Sequence, residues 1–189
     1  MSKLDSKRKL PHILGRYERK GGLFRAEYVD LVFSNGEKRT YTRLLRQGPG
    51  GVIIVAMPDN DHALLIREYA GGQHRYELGL PKGRLEPGES SLEGANRELQ
   101  EECGYGARSL LDMGYLTLIP GLMEHRSRIV LARDLYESRL PGDEPEELDV
   151  IKWPLDDLVT LIQREDFSEG RSIAALYMVR DLLAAGKLD

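Results

Sequence analysis

The sequence has one cysteine, no long apolar run and no excess of basic charge. Cys103 stands alone among 189 residues, which excludes a disulfide framework and favours a reducing compartment. No apolar stretch approaches the roughly 20 residues that a membrane-spanning helix requires. A net charge of −4 and a pI near 5.7 exclude the broad basic surface of a nucleic-acid-binding protein. We therefore expect a cytoplasmic protein whose partners include neither a membrane nor a nucleic acid.

Other absences narrow the chemistry. The four histidines are scattered, with no pair at ligand spacing, so neither a zinc centre nor a serine triad is indicated. The first 22 residues, MSKLDSKRKLPHILGRYERKGG, are basic, are broken by Pro11 and contain no signal-peptide apolar core. We expect a mobile tail there that leads into a first strand.

The remaining pattern predicts strands interleaved with a few helices. LFRAEYVDLVF and KRTYTRLL flank Asn35-Gly36 and predict a hairpin, and GVIIVAMP and ALLIREYA, joined by DNDH, predict a second one. A helix is predicted over Ser90–Cys103, capped by Ser90 or Ser91. Its apolar stripe consists of Leu92, Ala95, Leu99 and Cys103. Further predicted strands are RYELGL, SLLDMGYLTLI, SRIVLARDLY and DVIKWP, and further helices are Pro154–Arg164 and Ser172–Ala185. This order favours an α/β protein with a mixed sheet packed between helices.

The first predicted helix carries an unusual concentration of like charge. Successive helical residues turn by about 100°, so Glu98, Glu101 and Glu102 occupy an arc of about 100° beside the apolar stripe. Like charges at this spacing repel one another, and a divalent cation is the natural compensation. Ligands that are all carboxylates suit Mg²⁺ or Mn²⁺. A solvated acidic face is the alternative interpretation.

The spacing around these glutamates decides between the two. Gly83 is followed after five residues by Glu89, and after seven more by Arg97-Glu98-Leu99-Gln100-Glu101-Glu102-Cys103-Gly104-Tyr105. This pattern resembles the Nudix box of the Nudix hydrolases, with Tyr105 in place of the usual aliphatic residue. The resemblance implies a Nudix α/β/α sandwich with a mixed β-sheet and an N-terminal β-hairpin extension.

The resemblance also implies a role for each matching position. It places metal ligation on Glu98 and Glu102, with Glu101 as a third ligand or a catalytic base. The carbonyl of Lys82 is implied as a further ligand. Gly83 and Gly88 are expected to allow a tight loop near the metal, and Glu89 and Arg97 are expected to form a buried pair that holds this loop to the helix.

Similarity beyond the box points to the members of the family that cleave ADP compounds. It covers YVDLVFSNGEKRTYTR, LLIREYAGG, YELGLPKG, GDEPEEL, KWPL and SIAALYMVRDLL, and Pro120 lies 15 residues past Tyr105. The implied activity is Mg²⁺-assisted attack of water on phosphorus in ADP-ribose, NADH or diadenosine polyphosphates, with release of AMP. The implied organisation is residues 1–48 as a tail and strands that mediate homodimerisation, and residues 49–189 as the Nudix domain.

Several residues outside the box are candidates by the same resemblance. Glu144, and after it Glu146, are candidates for the general base, with a solvated acidic turn as the alternative. Arg67 is a candidate phosphate ligand. Further candidates for substrate contact are Arg39, Arg43 and Glu124. The two arginines are expected to reach the active site of the neighbouring subunit. The polar outer face of a hairpin explains Arg39 and Arg43 equally well.

Two other functions remain open at this point. One is a Nudix hydrolase for a different nucleoside diphosphate, such as a nucleotide sugar. The other is a Nudix-fold module that senses a nucleotide without cleaving it, although such modules usually lose box glutamates. A purely structural acidic helix does not explain the positions of Gly83, Glu89 and Arg97.

Overall fold

The computed structural model describes residues 12–21, 24–46 and 48–188, which form two compact units. One unit holds the three N-terminal strands and the segment Thr117–His125, and the other holds Gly48–Leu116 and the chain from Arg126 onward. The part of the predicted tail before His12 lies outside the described residues. The elements in chain order are β1 (His12–Gly21), β2 (Phe24–Val32), β3 (Lys38–Leu45), β4 (Gly51–Ala56), β5 (His62–Ala70), β6 (Arg75–Gly79), β7 (Lys82–Arg84), α1 (Ser91–Cys103), β8 (Tyr105–Thr117), β9 (Arg126–Glu137), β10 (Asp149–Pro154), a 3-10 turn (Leu155–Asp157), α2 (Leu158–Ile162) and α3 (Gly170–Ala184).

The first unit is a three-stranded antiparallel sheet in the order β1-β2-β3. The predicted hairpin of β2 and β3 is confirmed, and Gly36 in its turn has a φ of 82°. The prediction of a tail up to the first strand is wrong for His12–Gly21, which pairs with β2 along its length. This strand lies at the sheet edge, so its sequence lacks the apolar alternation that would have identified it.

The second unit contains a mixed four-stranded sheet, β7-β4-β9-β8, and a three-stranded antiparallel sheet, β10-β5-β6. β4 runs parallel to β9 and antiparallel to β7. The predicted hairpin of β4 and β5 is therefore wrong, because these strands belong to different sheets. β4 is buried throughout and β5 over residues 63–66, and an apolar run that is covered on both faces does not identify its neighbours.

Helices cover both sides of the strands in this unit. Alternate residues of β4 point to opposite sides: Ile53 and Val55 pack with α2 and α3, whereas Val52 and Ile54 pack with α1. The same alternation separates Leu65 from Ile66 on β5. This arrangement confirms the predicted α/β/α order with a mixed sheet.

The helix boundaries follow local signals. Ser90 caps α1: its hydroxyl accepts from the Glu93 N–H, and the Glu93 carboxylate accepts from the Ser90 N–H at 2.9 Å. The predicted helix over Pro154–Arg164 is shorter in the structure, where a 3-10 turn precedes α2, and α3 begins two residues earlier than predicted. Among the helices that the structure describes, none is long and apolar enough to cross a membrane.

Candidate active site

The edge of the buried face of α1 carries three glutamates, here called the ridge: Glu98, Glu101 and Glu102. Glu98 and Glu102 are buried, with 9% and 8% of their surface exposed, and Glu101 is half-buried. Leu99 and Cys103 of the same helix turn are in the core beneath them. The apolar stripe therefore anchors the helix and holds the carboxylates against the neighbouring strand β7.

Gly83 leaves the space that the Glu98 carboxylate occupies. A Cβ atom at Gly83 would lie 1.9 Å from Glu98 Cδ and within 2.2 Å of both carboxylate oxygens. The expectation that Gly83 serves a tight loop differs from this arrangement, because Gly83 lies in β7. Gly88, the other glycine expected to serve this loop, does lie in the loop before α1 and has a φ of 87°.

Arg97 joins the carboxylates of this region into one network. Its Nε and Nη2 donate to the two oxygens of Glu89 at 2.9 and 3.0 Å, which is the predicted pair. Its Nη1 donates to Glu98 at 2.9 Å and to Glu101 at 2.8 Å, and Nη2 also reaches the Arg84 carbonyl. One guanidinium thus holds the loop, the helix and two of the three ridge glutamates.

Burial and pairing shift the pKa values of this network in opposite directions. Desolvation raises the pKa of Glu98 and raises that of Glu102 to about 8. Hydrogen bonds from Arg97 lower the pKa of Glu89, and the Glu89 carboxylate in turn raises the pKa of Arg97. Glu89 is therefore a fixed anion, whereas Glu98 and Glu102 lack full compensation of their charge.

Lys82 links this helix to β5. Its backbone N–H donates to Glu102 Oε2 at 2.8 Å, and its ammonium group pairs with Glu68. Metal ligation by the Lys82 carbonyl stays a prediction. Glu68 was not predicted as part of the site, although it is the acidic residue at the end of an apolar strand and lies on the α1 side by alternation with Ile66.

An acidic segment lies opposite the helix. Residues 139–148, here called the acidic loop, line a cleft of about 390 Å³ together with Glu98, Glu101 and Glu102. Burial, together with the nearby charge of Glu68, raises the pKa of Glu144. Glu146 instead accepts a hydrogen bond from the Tyr76 hydroxyl. The structure therefore brings both candidate bases into the same loop but in different surroundings.

Arg67 does not lie with the α1 carboxylates. Its Nη1 donates to Asp166 at 2.8 Å, and its Nε lies 3.9 Å from Asp149. Arg164 and Arg67 lower the pKa of Asp166 to about 2, so this partner is a permanent anion. Because strand residues alternate, Arg67 faces the side of α2 and α3, opposite to Glu68. Phosphate binding by Arg67 stays a prediction.

The other candidate substrate residues lie in the first unit. Arg43 donates to the buried Glu27 at 2.5 Å, and the more exposed Arg39 donates to Glu37 at 2.8 Å. The Glu124 N–H donates to the Leu44 carbonyl at 2.9 Å. Arg39 and Arg43 share one face of β3, as predicted from their spacing, and their role in substrate contact stays a prediction.

The donor set on α1 fits a hard divalent cation by its chemistry. It consists of carboxylate oxygens that are buried at the cleft and that lack full compensation by cationic side chains. Within residues 12–21, 24–46 and 48–188, no group of three or more His, Cys, Asp or Glu side chains is arranged to hold a metal ion. Instead, Arg97 Nη1 donates a hydrogen bond to both Glu98 and Glu101, and the Lys82 N–H donates one to Glu102.

Comparison with known proteins identifies relatives over almost the whole chain. Residues 48–176 match the NUDIX domain, and residues 11–43 match the NudE-type Nudix hydrolase N-terminal domain. The chain is 47% identical over 161 residues to ADP compounds hydrolase NudE of Escherichia coli, covering 85% of this chain and 86% of that protein. It is 26% identical to an ADP-ribose pyrophosphatase of Bacillus subtilis, covering 82% and 86%. A crystal structure of an ADP compounds hydrolase superposes with a TM-score of 0.85 at 43% identity, covering 97% of this chain and all of that one.

Proposed function

Because the chain belongs to the Nudix hydrolase family, we propose that it hydrolyses the pyrophosphate group of ADP-containing compounds and releases AMP. ADP-ribose, NADH and diadenosine polyphosphates are the substrates of this class. The observation that carries the proposal is the cleft between the α1 glutamates and the acidic loop, which brings carboxylates from two segments to one place. The similarity to an ADP compounds hydrolase over most of the chain supports the choice of substrate.

Nudix hydrolases use divalent metal ions, and we infer Mg²⁺ or Mn²⁺ here. Glu98, Glu101, Glu102 and the carbonyl of Lys82 are the residues that would hold it. When bound, such a cation neutralises phosphate oxygens and lowers the pKa of the attacking water. Arg97, itself fixed by Glu89, holds Glu98 and Glu101 in place through Nη1, so these carboxylates are positioned before any ligand arrives.

The acidic loop supplies the general base in this proposal. Water attacks one phosphorus of the pyrophosphate and its proton passes to a carboxylate, while the bond from that phosphorus to the bridging oxygen breaks. The products are AMP and the remaining phosphorylated part of the substrate. Glu144 is favoured for this role because burial raises its pKa and its carboxylate is free of the hydrogen bond that Glu146 accepts from Tyr76. Glu101 is disfavoured as base because Arg97 donates to it.

The N-terminal unit is proposed to mediate a cytoplasmic homodimer. It exposes large apolar side chains, which is typical of a surface that binds another protein: Ile13, Leu14, Tyr17 and Tyr41. We also propose that substrate is contacted by Arg39, Arg43 and Glu124, and that the two arginines reach the active site of the other subunit. Arg67 stays a candidate phosphate ligand, and it would have to break its hydrogen bond with Asp166 to bind a phosphate. The buried free thiol of Cys103 supports a reducing compartment.

The direct test is product chromatography after incubation with Mg²⁺ and one compound at a time. The compounds are ADP-ribose, NADH, diadenosine triphosphate and GDP-mannose. Glu98→Gln removes one ridge carboxylate, and Glu86→Gln is the matched control, because Glu86 is an exposed glutamate of the loop before α1. We expect AMP from the adenine compounds, its loss in Glu98→Gln and normal release in Glu86→Gln.

The other outcomes separate the remaining functions. Cleavage of GDP-mannose alone would replace the ADP compounds by a nucleotide sugar as substrate. Tight binding of ADP-ribose without hydrolysis at any Mg²⁺ concentration would indicate a nucleotide-sensing module. If Glu98→Gln and the wild type released AMP equally fast, the ridge glutamates would not be part of the active site.

A further inference from the structure

The acidic loop is attached at its two ends, and between them it is also joined to the β5–β6 hairpin. At its start the Leu140 N–H donates to the Gln100 carbonyl at 3.2 Å, and the adjacent Ser138 hydroxyl donates to the Gln100 side chain at 2.8 Å. At its end the chain enters β10, where Asp149 pairs with Arg67. Between these ends, a hydrogen bond from the Tyr76 hydroxyl to the Glu146 carboxylate joins the loop to the β5–β6 hairpin.

Tyr76 packs against a neighbouring tyrosine on the hairpin. It lies directly across from Tyr69, with ring centroids 5.7 Å apart in an edge-to-face arrangement. The Tyr69 hydroxyl lies 2.5 Å from His74 Nδ1 in the adjoining turn. The ring of Tyr76 thus packs against Tyr69 on the hairpin, and Tyr76 is not among the residues that line the cleft.

The hairpin has a different contact with the loop on each face. Because strand residues alternate, Tyr69 and Tyr76 lie on one face of the hairpin and Glu68 lies on the other. Glu146 reaches the tyrosine face, whereas Glu144 is close enough to Glu68 and Lys82 for their charges to shift its pKa. The loop therefore straddles the hairpin, and its hold on one face restrains Glu144 on the other.

We propose that Tyr76 is a positioning residue that holds the acidic loop through Glu146 and thereby keeps Glu144 at the cleft. The proposal deepens the proposed function and rests on it for its catalytic consequence. The position of the loop is testable without any substrate. Glu146 acts in it as the attachment point of the loop and Glu144 as the base.

The first experiment measures loop opening by limited proteolysis of the metal-free protein. A glutamyl-specific protease cuts after Glu147, whose side chain is 81% exposed, and mass spectrometry gives the initial rate. Cleavage follows the population of the open loop when opening and closing are fast. Tyr76→Phe removes the hydroxyl and retains the ring, and Tyr69→Phe is the matched control, because its hydroxyl bonds His74 and leaves the loop contact intact.

We expect Tyr76→Phe to raise the cleavage rate about threefold to tenfold, the range for loss of one typical intramolecular hydrogen bond. Tyr69→Phe should cleave at the wild-type rate, and the melting temperature of both variants should be unchanged. Glu146→Ala should cleave as fast as Tyr76→Phe, and the double variant no faster than either. Equal rates in Tyr76→Phe and wild type, or additive effects in the double variant, would overturn the proposal.

The second experiment measures steady-state kinetics with a compound that the wild type cleaves. Displacement of the base should lower kcat about threefold to tenfold in Tyr76→Phe, in line with the proteolysis ratio, and leave KM within about twofold. A rise in KM with unchanged kcat would show that Tyr76 contacts substrate and would overturn the positioning role. If the wild type cleaves none of the compounds, the proposed function fails while the proteolysis result still decides the attachment of the loop.

Discussion

Replacement of Gly83 by alanine tests whether the position of Glu98 governs the activity. The new methyl group would lie 1.9 Å from Glu98 Cδ, whereas carbon atoms in contact are about 3.5–4.0 Å apart. The Glu98 carboxylate must therefore retreat by about 2 Å. Misplacement of a catalytic group by roughly 1 Å can cost about 100-fold in rate, so we expect hydrolysis to fall about 100-fold in Gly83→Ala.

The same geometry predicts a small effect on stability. The three atoms nearest to the added methyl group all belong to the carboxylate at the far end of the flexible Glu98 side chain, and none of them is a backbone atom. We expect the melting temperature of the metal-free protein to change by only a few degrees while the affinity for Mn²⁺, measured by calorimetric titration, falls. Gly83 also has no positive φ, so alanine adds no backbone strain.

Gly170→Ala is the matched control, because a methyl group there meets nothing within 4 Å. Full activity and full Mn²⁺ affinity in Gly83→Ala would refute the view that Glu98 must lie against this strand. Unfolding of the variant would refute the view that the carboxylate can move at low cost.

Three further predictions concern the glutamates. Glu144→Gln should lower kcat about 100- to 10,000-fold, as expected for loss of a general base, and Glu146→Gln should lower it less; a decrease of less than about tenfold in both would exclude the loop as the source of the base. Mg²⁺ at 100 times its Kd should stabilise the native state by about 2.7 kcal/mol, seen as a higher melting temperature in wild type and a smaller rise in Glu98→Gln; a melt that does not respond to Mg²⁺ in the presence of a substrate analogue argues against the metal site. Burial raises the pKa of Glu102 from 4.5 to about 8, so the folded metal-free protein binds this proton more tightly than the unfolded chain does. The free energy of unfolding of the metal-free protein should therefore fall as the pH rises from about 5 to 8. Urea titrations at several pH values should show a smaller decrease of this free energy in Glu102→Gln. Parallel pH curves for the two proteins would contradict the raised pKa of Glu102.

Local periodicity was sufficient for the elements that carry the ridge. The 3.6-residue repeat of Leu92, Ala95, Leu99 and Cys103 predicted α1, and the same geometry placed Glu98 and Glu102 along its edge. The pair of Glu89 and Arg97 followed from a resemblance at fixed spacing, and the structure contains it. These features depend on contacts between residues close in the chain, which is why they are visible in the sequence.

Strand partners were not predictable in the same way. β4 and β5 are neighbours in the chain and each has an apolar run, yet β4 pairs with β7 and β9 and β5 pairs with β6 and β10. A run buried on both faces fits several partners equally well. The face on which Arg67 lies depends on this register, because a one-residue shift moves a side chain to the opposite face.

The acidic helix, its box spacing and the family that this spacing indicates can all be read from the order of the amino acids. Three features of the site required the folded chain: Glu98 fills the space left by Gly83, burial raises the pKa of Glu102, and Glu146 rather than Glu144 is bonded to Tyr76. Burial, desolvation and contact between residues as far apart as Tyr76 and Glu146 arise only when separate strands and loops pack together. The spacing of residues along one helix or strand depends on the backbone geometry of that element alone.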